Sequence, residues 1–259
     1  MYLGKVAQAV PDKTAVIVGD ESVTYAELDR RSNRIAHLLY DWGLRPGDGV
    51  AVLLENDIRF FEFYWAAMRS GLYFTPVNWH LAPSEAAYVL NNCDAKVFVV
   101  SRQLRDLAVA IADEARALRP RRIICDDEMD GYASYPQGVA DQPDSPLPEE
   151  WEGQAMLYTS ATTGRPKGVR PPLLGTKAGE GLTSGARLLF LFGFQPSDTY
   201  LCVGPLYHAA PIAFTMAQLR IGDLPAAERS LTVLIAQDPG NWMALRLRAL
   251  ARRSLKRLP

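Results

Sequence analysis

The sequence lacks the features that mark several classes of protein. Its three cysteines, Cys93, Cys125 and Cys202, stand far apart with no CxxC or Cys/His spacing, so we expect neither a disulfide framework nor a cysteine-bound metal. Free thiols of this kind are typical of a cytoplasmic protein. The formal net charge of -1 gives no overall attraction to nucleic acid or to an anionic membrane. Nucleic acid is therefore not an expected partner.

The chain also lacks a hydrophobic run long enough to span a membrane. Its longest apolar run, residues 188–194, contains Gly193 and falls well short of about 20 residues. Near the N-terminus, Gln8, Pro11 and Asp12 interrupt any apolar segment, so a signal peptide is not expected. A composition of 48% hydrophobic and 22% charged residues instead predicts a globular protein.

Helix and strand patterns alternate along the first half of the chain. Thr24 and Glu27 form a capping box ahead of a helical pattern over 25–42, which Gly43 ends. Apolar strands joined by helices predict parallel βαβ units, and hence an α/β fold. The strands are predicted at 50–54, 72–77, 96–100 and 121–125, and the helices between them at 58–69, 84–91 and 102–118.

The remaining segments are assigned from composition and periodicity. Residues 14–18 and 21–24 predict a hairpin, and 126–150, rich in Asp, Pro and Gly, predicts an irregular surface connection. After a surface segment over 170–185, we expect a buried helix over 186–194, a strand over 198–203, and two tail helices over 225–237 and 242–258.

One polar stretch, residues 158–169, follows a predicted short strand and reads YTSATTGRPKGV. Hydroxyls and backbone N–H groups can donate to phosphate oxygens, glycine lets the backbone approach closely, and Lys167 adds a positive charge. The order differs from the GxxxxGK[ST] loop, because here the hydroxyl residues precede the lysine. A surface turn rich in Ser, Thr and Gly is the plainer interpretation of the same residues.

In its full length the stretch resembles the phosphate loop of the adenylate-forming enzymes, the superfamily of acyl-CoA synthetases, peptide-synthetase adenylation domains and luciferases. The usual form there is YTSGTTGxPKG. The resemblance implies that the following residues bind the phosphates of ATP: Thr159, Ser160, Ala161, Thr162, Thr163, Gly164, Lys167 and Gly168. Ala161 stands where that family has glycine. A positive φ at this position would cost about 1 kcal/mol, whereas a negative φ would make the change harmless.

A second stretch, residues 204–211, reads GPLYHAAP and resembles the loop that borders the acyl pocket in acyl-CoA synthetases. A lone histidine after a strand is more often a packed residue than a functional one. The position of His208, one sheet element after the phosphate loop, favours the functional interpretation. With Lys167 it is the candidate catalytic residue, and its neutral imidazole could donate one hydrogen bond to the substrate.

The resemblance implies a fold, a reaction and a set of ligands. The fold is an incomplete N-terminal domain of an adenylate-forming enzyme with parallel βαβ units. A small-molecule carboxylic acid, in particular a fatty acid, attacks the α-phosphorus of ATP, and coenzyme A then takes the acyl group. Magnesium accompanies ATP in this family, but its protein ligands have no counterpart in the chain, and no metal-binding residues are assigned.

Two domains are expected, a partial AMP-binding domain over 1–221 and a helical tail over 222–259. In the tail, Gly222, Ala227 and Pro239 have the spacing of a tetratricopeptide repeat. The basic residues of its last helix offer a surface for a protein partner or a membrane, or else form an ordinary solvated helix face.

Nothing after His208 resembles three further elements of the family: the Thr-Glu adenine and magnesium element, the Tyr-x-Gly-Asp ribose element, or the small C-terminal domain with its catalytic lysine. We therefore expect a truncated or fused enzyme. The alternatives are a non-catalytic interaction module, a nonfunctional gene fragment, and a subunit completed in trans.

Adenylate formation tests this expectation. Because preorganised donors around the phosphates supply most of the electrostatic stabilisation, a chain with half of them should form acyl-adenylate at a negligible rate. Pyrophosphate release with ATP, magnesium and medium- or long-chain fatty acids measures this rate, and robust turnover that depends on the acid would contradict it.

Overall fold

The computed structural model describes residues 2–114, 121–159, 165–180, 198–221 and 231–234. Within these residues the strands are β1 (Thr14–Val18), β2 (Glu21–Thr24), β3 (Gly49–Leu53), β4 (Tyr73–Pro76), β5 (Ala95–Ser101), β6 (Arg121–Cys125), β7 (Ala133–Ser134), β8 (Gln154–Ala155), β9 (Leu157–Thr159), β10 (Lys167–Val169), β11 (Asp198–Leu201) and β12 (Leu231–Leu234). The helices are α1 (Leu3–Ala9), α2 (Tyr25–Asp41), α3 (Ile58–Arg69), α4 (Pro83–Asn92), α5 (Arg105–Glu114), α6 (Tyr135–Val139) and α7 (Ala209–Ile221).

A six-stranded sheet in the order β7-β6-β5-β3-β4-β8 forms the centre of the fold, and every neighbouring pair in it is parallel. The chain runs from β3 to β4 on one side, then returns across β3 to β5 on the other. All five residues of β3 are buried, as expected for a parallel strand covered on both faces. The predicted α/β class with parallel βαβ units is confirmed.

Two apolar clusters cover the two faces of the sheet. The first contains residues of α2 and α3, and the second contains residues of α4 and α5. In α3, 11 of the 12 residues are buried, including Phe60, Phe63 and Trp65. A helix that is buried on nearly all sides needs other elements around it, and α3 accordingly lies between the sheet and α2.

The predicted helix and hairpin boundaries around α2 hold in the structure. Thr24 Oγ1 accepts a hydrogen bond from the Glu27 N–H at 3.2 Å, so the capping residue starts α2 where the sequence predicts. Gly43, which follows the helix, has φ of 86°, a left-handed conformation that favours glycine. β1 and β2 form the predicted antiparallel hairpin.

Three segments differ from the sequence prediction. The connection over 126–150 is not wholly irregular, because β7 pairs with β6 and α6 follows it. The short helix α1 was not predicted. In the tail, β12 pairs in parallel with β11, so the helix predicted over 225–237 is wrong at residues 231–234. The Leu-Thr-Val-Leu sequence there is rich in residues that favour strands.

Other predictions fall wholly or partly outside the described residues. The helix predicted over 186–194 and the one over 242–258 belong to this group. The helix predicted over 102–118 is present as a 3-10 turn followed by α5, and its last four residues are outside the described part.

A buried ion pair attaches α7 to the segment that leads into β8. Arg220 in α7 and Glu152 are each 2% exposed, and Arg220 Nη2 donates to Glu152 Oε1 at 2.5 Å. The second carboxylate oxygen accepts from the Gly179 N–H at 2.6 Å. The guanidinium also lies 5.2 Å from the centre of the Trp65 ring. Protein groups thus compensate both charges, and three distant segments are joined.

Removing one partner of this pair tests its role. We expect Arg220→Met to lower the free energy of unfolding by about 3–5 kcal/mol, because the Glu152 carboxylate would remain buried without its counter-charge. Arg30→Met, which breaks the exposed Arg30–Glu27 pair on α2, is the control and should cost less than about 1 kcal/mol. Urea unfolding measures both values, and equal losses would contradict the assignment.

Candidate functional site

The described part of the phosphate-loop stretch forms the two arms of a β-hairpin. β9 and β10 pair in antiparallel register, with Thr159 opposite Lys167 and Tyr158 opposite Gly168. Thr159 Oγ1 donates to the Lys167 carbonyl oxygen at 3.4 Å. The hairpin follows directly from β8, whose pairing with β4 extends to a hydrogen bond from the Met156 N–H to the Phe74 carbonyl oxygen. The parallel sheet therefore fixes the base of the hairpin.

A larger side chain at Gly168 in β10 would displace its neighbours, because the Tyr158 ring lies across this glycine. A Cβ at Gly168 would come within 2.9 Å of Tyr158 Cζ and 2.8 Å of Met156 Cε. The Tyr158 hydroxyl donates to Asn92 Oδ1 at 2.6 Å, at the end of α4. Burial raises the pKa of Tyr158, so its hydroxyl stays protonated and can donate at neutral pH. The glycine of the motif thus allows the hairpin to pack against α4.

Two arginines, one before and one after β10, contact aromatic rings of neighbouring elements. The Arg165 guanidinium lies 5.1 Å from the centre of the Tyr88 ring on α4. The Arg170 guanidinium lies 4.2 Å from the Tyr73 ring centre on β4, and it donates to the Gly47 carbonyl oxygen at 3.0 Å. Cation–π contacts of this kind hold a planar cation over an aromatic face. The Arg165 and Arg170 contacts add to the backbone hydrogen bonds that hold β10 in place.

Lys167 is exposed on β10, and among the described residues no carboxylate forms an ion pair with it. Its charge is therefore available to an anion. Thr159 is exposed at the end of the opposite arm. The other predicted ligands, Ser160, Ala161, Thr162, Thr163 and Gly164, lie outside the described residues.

The loop that carries His208 connects β11 to α7. His208 is exposed and stands immediately before the helix, where its carbonyl oxygen accepts from the Ile212 N–H at 3.2 Å. The preceding residues, Leu206 and Tyr207, are buried. Gly204 is close-packed, since a Cβ there would meet Pro211 Cγ at 2.9 Å. The His208 imidazole therefore lies at the surface, and the two residues before it, Leu206 and Tyr207, are buried.

Residues after β3 and β4 contact this loop, and the sequence prediction did not include them. Asn56 Nδ2 donates to the Gly204 carbonyl oxygen at 3.0 Å, and Asn56 Oδ1 accepts from the Leu206 N–H at 2.9 Å. The Trp79 ring meets the Tyr207 ring edge to face, with centres 4.6 Å apart. Their place at the carboxyl ends of two predicted parallel strands is the sequence signal that could have identified them.

The structure thus brings Thr159, Lys167 and Gly168 together in one hairpin and places His208 in a separate loop. No contact between described residues joins His208 directly to the hairpin. Tyr158 of the hairpin packs against the same apolar cluster as Trp79, which contacts Tyr207 of the His208 loop, whereas Leu206 belongs to the other cluster. The hairpin follows the carboxyl end of β8, and the His208 loop contacts residues that follow the carboxyl ends of β3 and β4, the edge at which open α/β sheets bind ligands.

No metal centre or membrane span is found in the described part of the chain. Groups of three or more His, Cys, Asp or Glu side chains placed to hold a metal ion are absent from it. Burial raises the pKa of Cys93 to about 11 and that of Cys125 to about 12, so both remain thiols at neutral pH. None of the described helices combines the length and apolarity that crossing a bilayer requires.

Comparison with known families gives one match over most of the chain. The model of the AMP-binding enzyme family matches residues 3–223. This span contains the hairpin, the His208 loop and the whole parallel sheet. It leaves almost all of the predicted tetratricopeptide-like tail outside.

Curated relatives are similar over parts of the chain. The fatty acid–[acyl-carrier-protein] ligase ScoC of Streptomyces coeruleorubidus is 33% identical over 171 residues, which are 63% of this chain and 30% of that protein. The long-chain-fatty-acid–CoA ligase of Thermus thermophilus is 30% identical over 203 residues, which are 77% of this chain and 36% of that protein. The chain thus spans about a third of the length of these relatives.

A solved structure has the same fold. The Mycobacterium tuberculosis fatty acyl CoA synthetase superposes with a TM-score of 0.70 over 94% of this chain and 46% of that chain, at 21% sequence identity. At this identity the likeness concerns the fold alone. It matches the mixed architecture with a parallel sheet described above.

The packing of Gly168 under Tyr158 can be tested by substitution. We expect Gly168→Ala to lower the free energy of unfolding by about 1–3 kcal/mol, because the new methyl group would displace the Tyr158 ring. Gly4→Ala is the control for a methyl group added without crowding, since a Cβ there meets its nearest neighbour at an ordinary 3.5 Å, and because Gly4 lies in α1 this change should be neutral or stabilising. Urea denaturation compares the two variants, and a Gly168→Ala protein as stable as the control would contradict the packing.

Proposed function

Because the chain belongs to the AMP-binding enzyme family, we propose that it binds ATP at the β9–β10 hairpin and belongs to an enzyme that joins a carboxylic acid to a thiol. The observation that supports this most is the exposed Lys167, which none of the described carboxylates neutralises, on a hairpin whose sequence is rich in phosphate-binding groups. The hairpin leaves the carboxyl edge of the sheet, where nucleotides bind in related architectures.

The proposed reaction has two steps. In the first, a carboxylate oxygen attacks the α-phosphorus of ATP, the bond from that phosphorus to the bridging oxygen breaks, and pyrophosphate leaves with the electron pair. In the second, a thiol attacks the acyl carbon of the acyl-adenylate and AMP leaves. The thiol proton is released to solvent or to a base, so atoms and charges balance.

Each proposed site residue has a role in the first step. Lys167 attracts the phosphates. The hydroxyls of Ser160, Thr162 and Thr163 and the Gly164 N–H donate to the phosphate oxygens, and the Thr159 hydroxyl joins them by turning away from the Lys167 carbonyl oxygen. Such donors are effective when the protein fixes them before the negative charge develops. The hydrogen bonds and arginine contacts of the hairpin arms support this preorganisation. His208 borders the carboxylate and can donate a hydrogen bond to it.

Magnesium is proposed to enter with the nucleotide. The described residues provide no cluster of carboxylates, cysteines or histidines for a resident ion, whereas Mg²⁺ commonly binds substrate phosphates with few protein ligands. The substrate of the hairpin is therefore magnesium-bound ATP.

A fatty acid is the proposed acid, and coenzyme A the proposed thiol. The Thermus thermophilus relative is named for both. The Streptomyces coeruleorubidus relative is named for a fatty acid with an acyl-carrier protein, so a carrier-protein thiol is the second candidate acceptor. Either acceptor would use the same adenylate.

The division into residues 1–221 and a tail over 222–259 is proposed as well, and the end of the family match at residue 223 supports it. For the tail, a protein-binding role and a tetratricopeptide-like structure stay predictions from sequence. A cytoplasmic location is consistent with the three free cysteines.

ATP binding by the full chain tests the proposed site. We expect Lys167→Ala to weaken ATP binding about tenfold or more, because a charge-assisted hydrogen bond to phosphate is lost. The effect on adenosine binding should be small, since adenosine has no phosphate. Isothermal titration calorimetry at two salt concentrations measures both, and the loss for ATP should shrink at high salt.

Lys5→Ala is the matched control, because Lys5 is also exposed but lies on α1. It should bind ATP as the wild type does. If neither the wild type nor any variant binds ATP, or if Lys5→Ala weakens binding as much as Lys167→Ala does, the proposed site is wrong.

A further inference from the structure

A side chain that follows a central strand of the sheet binds the turn before His208 through two hydrogen bonds. Asn56 follows β3 and uses both atoms of its amide, donating to the Gly204 carbonyl oxygen and accepting from the Leu206 N–H. This pattern reproduces the paired N–H and C=O contacts that a neighbouring strand would make. An asparagine side chain therefore takes the place of backbone pairing at residues 204–206.

The backbone next to Asn56 is held in place, which fixes the position from which its side chain reaches the turn. The next residue, Asp57, caps α3 by accepting from the Arg59 N–H at 2.7 Å, so the backbone after β3 is fixed between a buried strand and a buried helix. The Cys202 thiol also donates to the Gly204 carbonyl oxygen, at 3.2 Å. Asn56 is thus a fixed point, and the turn is bound to it.

A second contact comes from the neighbouring strand. Trp79 follows β4, and its ring packs against the edge of the Tyr207 ring. The Tyr207 ring in turn lies 4.5 Å from the His208 ring, measured between centres. Because edge-to-face aromatic contacts have a preferred geometry, Trp79 limits how Tyr207, and with it His208, can turn.

We propose that Asn56 and Trp79 are positioning residues for His208, and that the ends of β3 and β4 thereby set where the imidazole meets the acid substrate. This rests on the proposed function for the identity of the ligand, but the positioning itself concerns only this chain. Neither residue belongs to the phosphate-loop or histidine motif. Both act through the 204–207 turn.

The proposal predicts that Asn56 contributes to the binding free energy at the His208 loop and not at the Lys167 hairpin. Asn56 contacts the turn before His208, whereas Lys167 belongs to the hairpin that follows β8, and no described contact of Asn56 reaches that hairpin. Loss of the Asn56 amide should therefore affect recognition of the acyl group and its carboxylate, and leave recognition of the triphosphate unchanged.

The first experiment follows the His208 ring directly. The chain has three histidines, so a carbon–proton NMR spectrum with labelled histidine contains one Cε1–H signal from each of three rings, those of His37, His80 and His208. We expect Asn56→Ala and Trp79→Leu to shift the His208 signal, because its distance from the Tyr207 ring changes. The His37 signal should stay in place, since His37 lies on α2 and contacts the Ser145 carbonyl oxygen.

Asn91→Ala is the matched control for Asn56→Ala. It makes the same substitution at an exposed asparagine of α4, and it should leave all three signals unchanged. Asn56→Asp retains the acceptor for the Leu206 N–H but loses the donor to Gly204, so its shift should be intermediate. If Asn56→Ala leaves the His208 signal unchanged, the positioning role is wrong, whatever the protein binds.

The second experiment measures ligand recognition in the same variants. The probes are ATP and a non-hydrolysable dodecanoyl-adenylate analogue, in which a sulfamate replaces the phosphate. We expect Asn56→Ala to weaken the analogue about tenfold and to change ATP binding less than twofold. Equal weakening of both ligands would indicate general loss of structure and would overturn the proposal.

The two experiments separate the possible failures. A wild-type chain that binds neither probe contradicts the proposed function, while the NMR comparison still decides whether Asn56 and Trp79 hold the loop. A wild-type chain that binds both probes, with an Asn56→Ala variant that binds the analogue equally well, supports the function and overturns the positioning role.

Discussion

Parallel pairing around β3 is the constraint on which the rest of this structure depends. Since every strand of the sheet runs in the same direction, the segments that follow β3, β4 and β8 all leave from one edge. These segments carry Asn56, Trp79 and the hairpin with Lys167. Side chains more than 100 residues apart in sequence thereby support one surface, and the apolar helices on both faces keep the strands aligned.

Buried charges connect the outer segments to this framework. Arg220 binds Glu152, and a fully buried Arg69 donates to Asp29 at 2.5 Å and pairs with Glu150 at 3.5 Å. Replacing both partners of such a pair by apolar groups is often tolerated, whereas losing one is costly. The pairs thus select the arrangement in which α7 and the chain before β8 meet, and α7 begins at the His208 loop.

The sequence predicted what depends on local chemistry and missed what depends on distant contacts. Thr24 and Glu27 predicted the start of α2, and the uninterrupted apolar strands predicted a parallel sheet. Residues 231–234 were predicted as helix because an apparent repeat spacing was given more weight than their strand propensity, and the residues of β11 that pair with them lie 33 positions earlier in the sequence. For the site, Lys167 and His208 stood in recognisable motifs. Asn56 did not, because its role arises only when the turn at Gly204 folds against it.

The contacts that hold both arms of the hairpin affect the thermodynamics of nucleotide binding. Both ends of residues 160–166 are held, by the Thr159–Lys167 pairing and by the contacts of Tyr158 and Arg170 with the domain. The conformational entropy of closing this loop is therefore lost when the protein folds and not when a ligand arrives. Ligand binding therefore does not have to bring the two ends of this segment together, and loosening the remote contacts that hold those ends would weaken binding without removing any contact to the ligand.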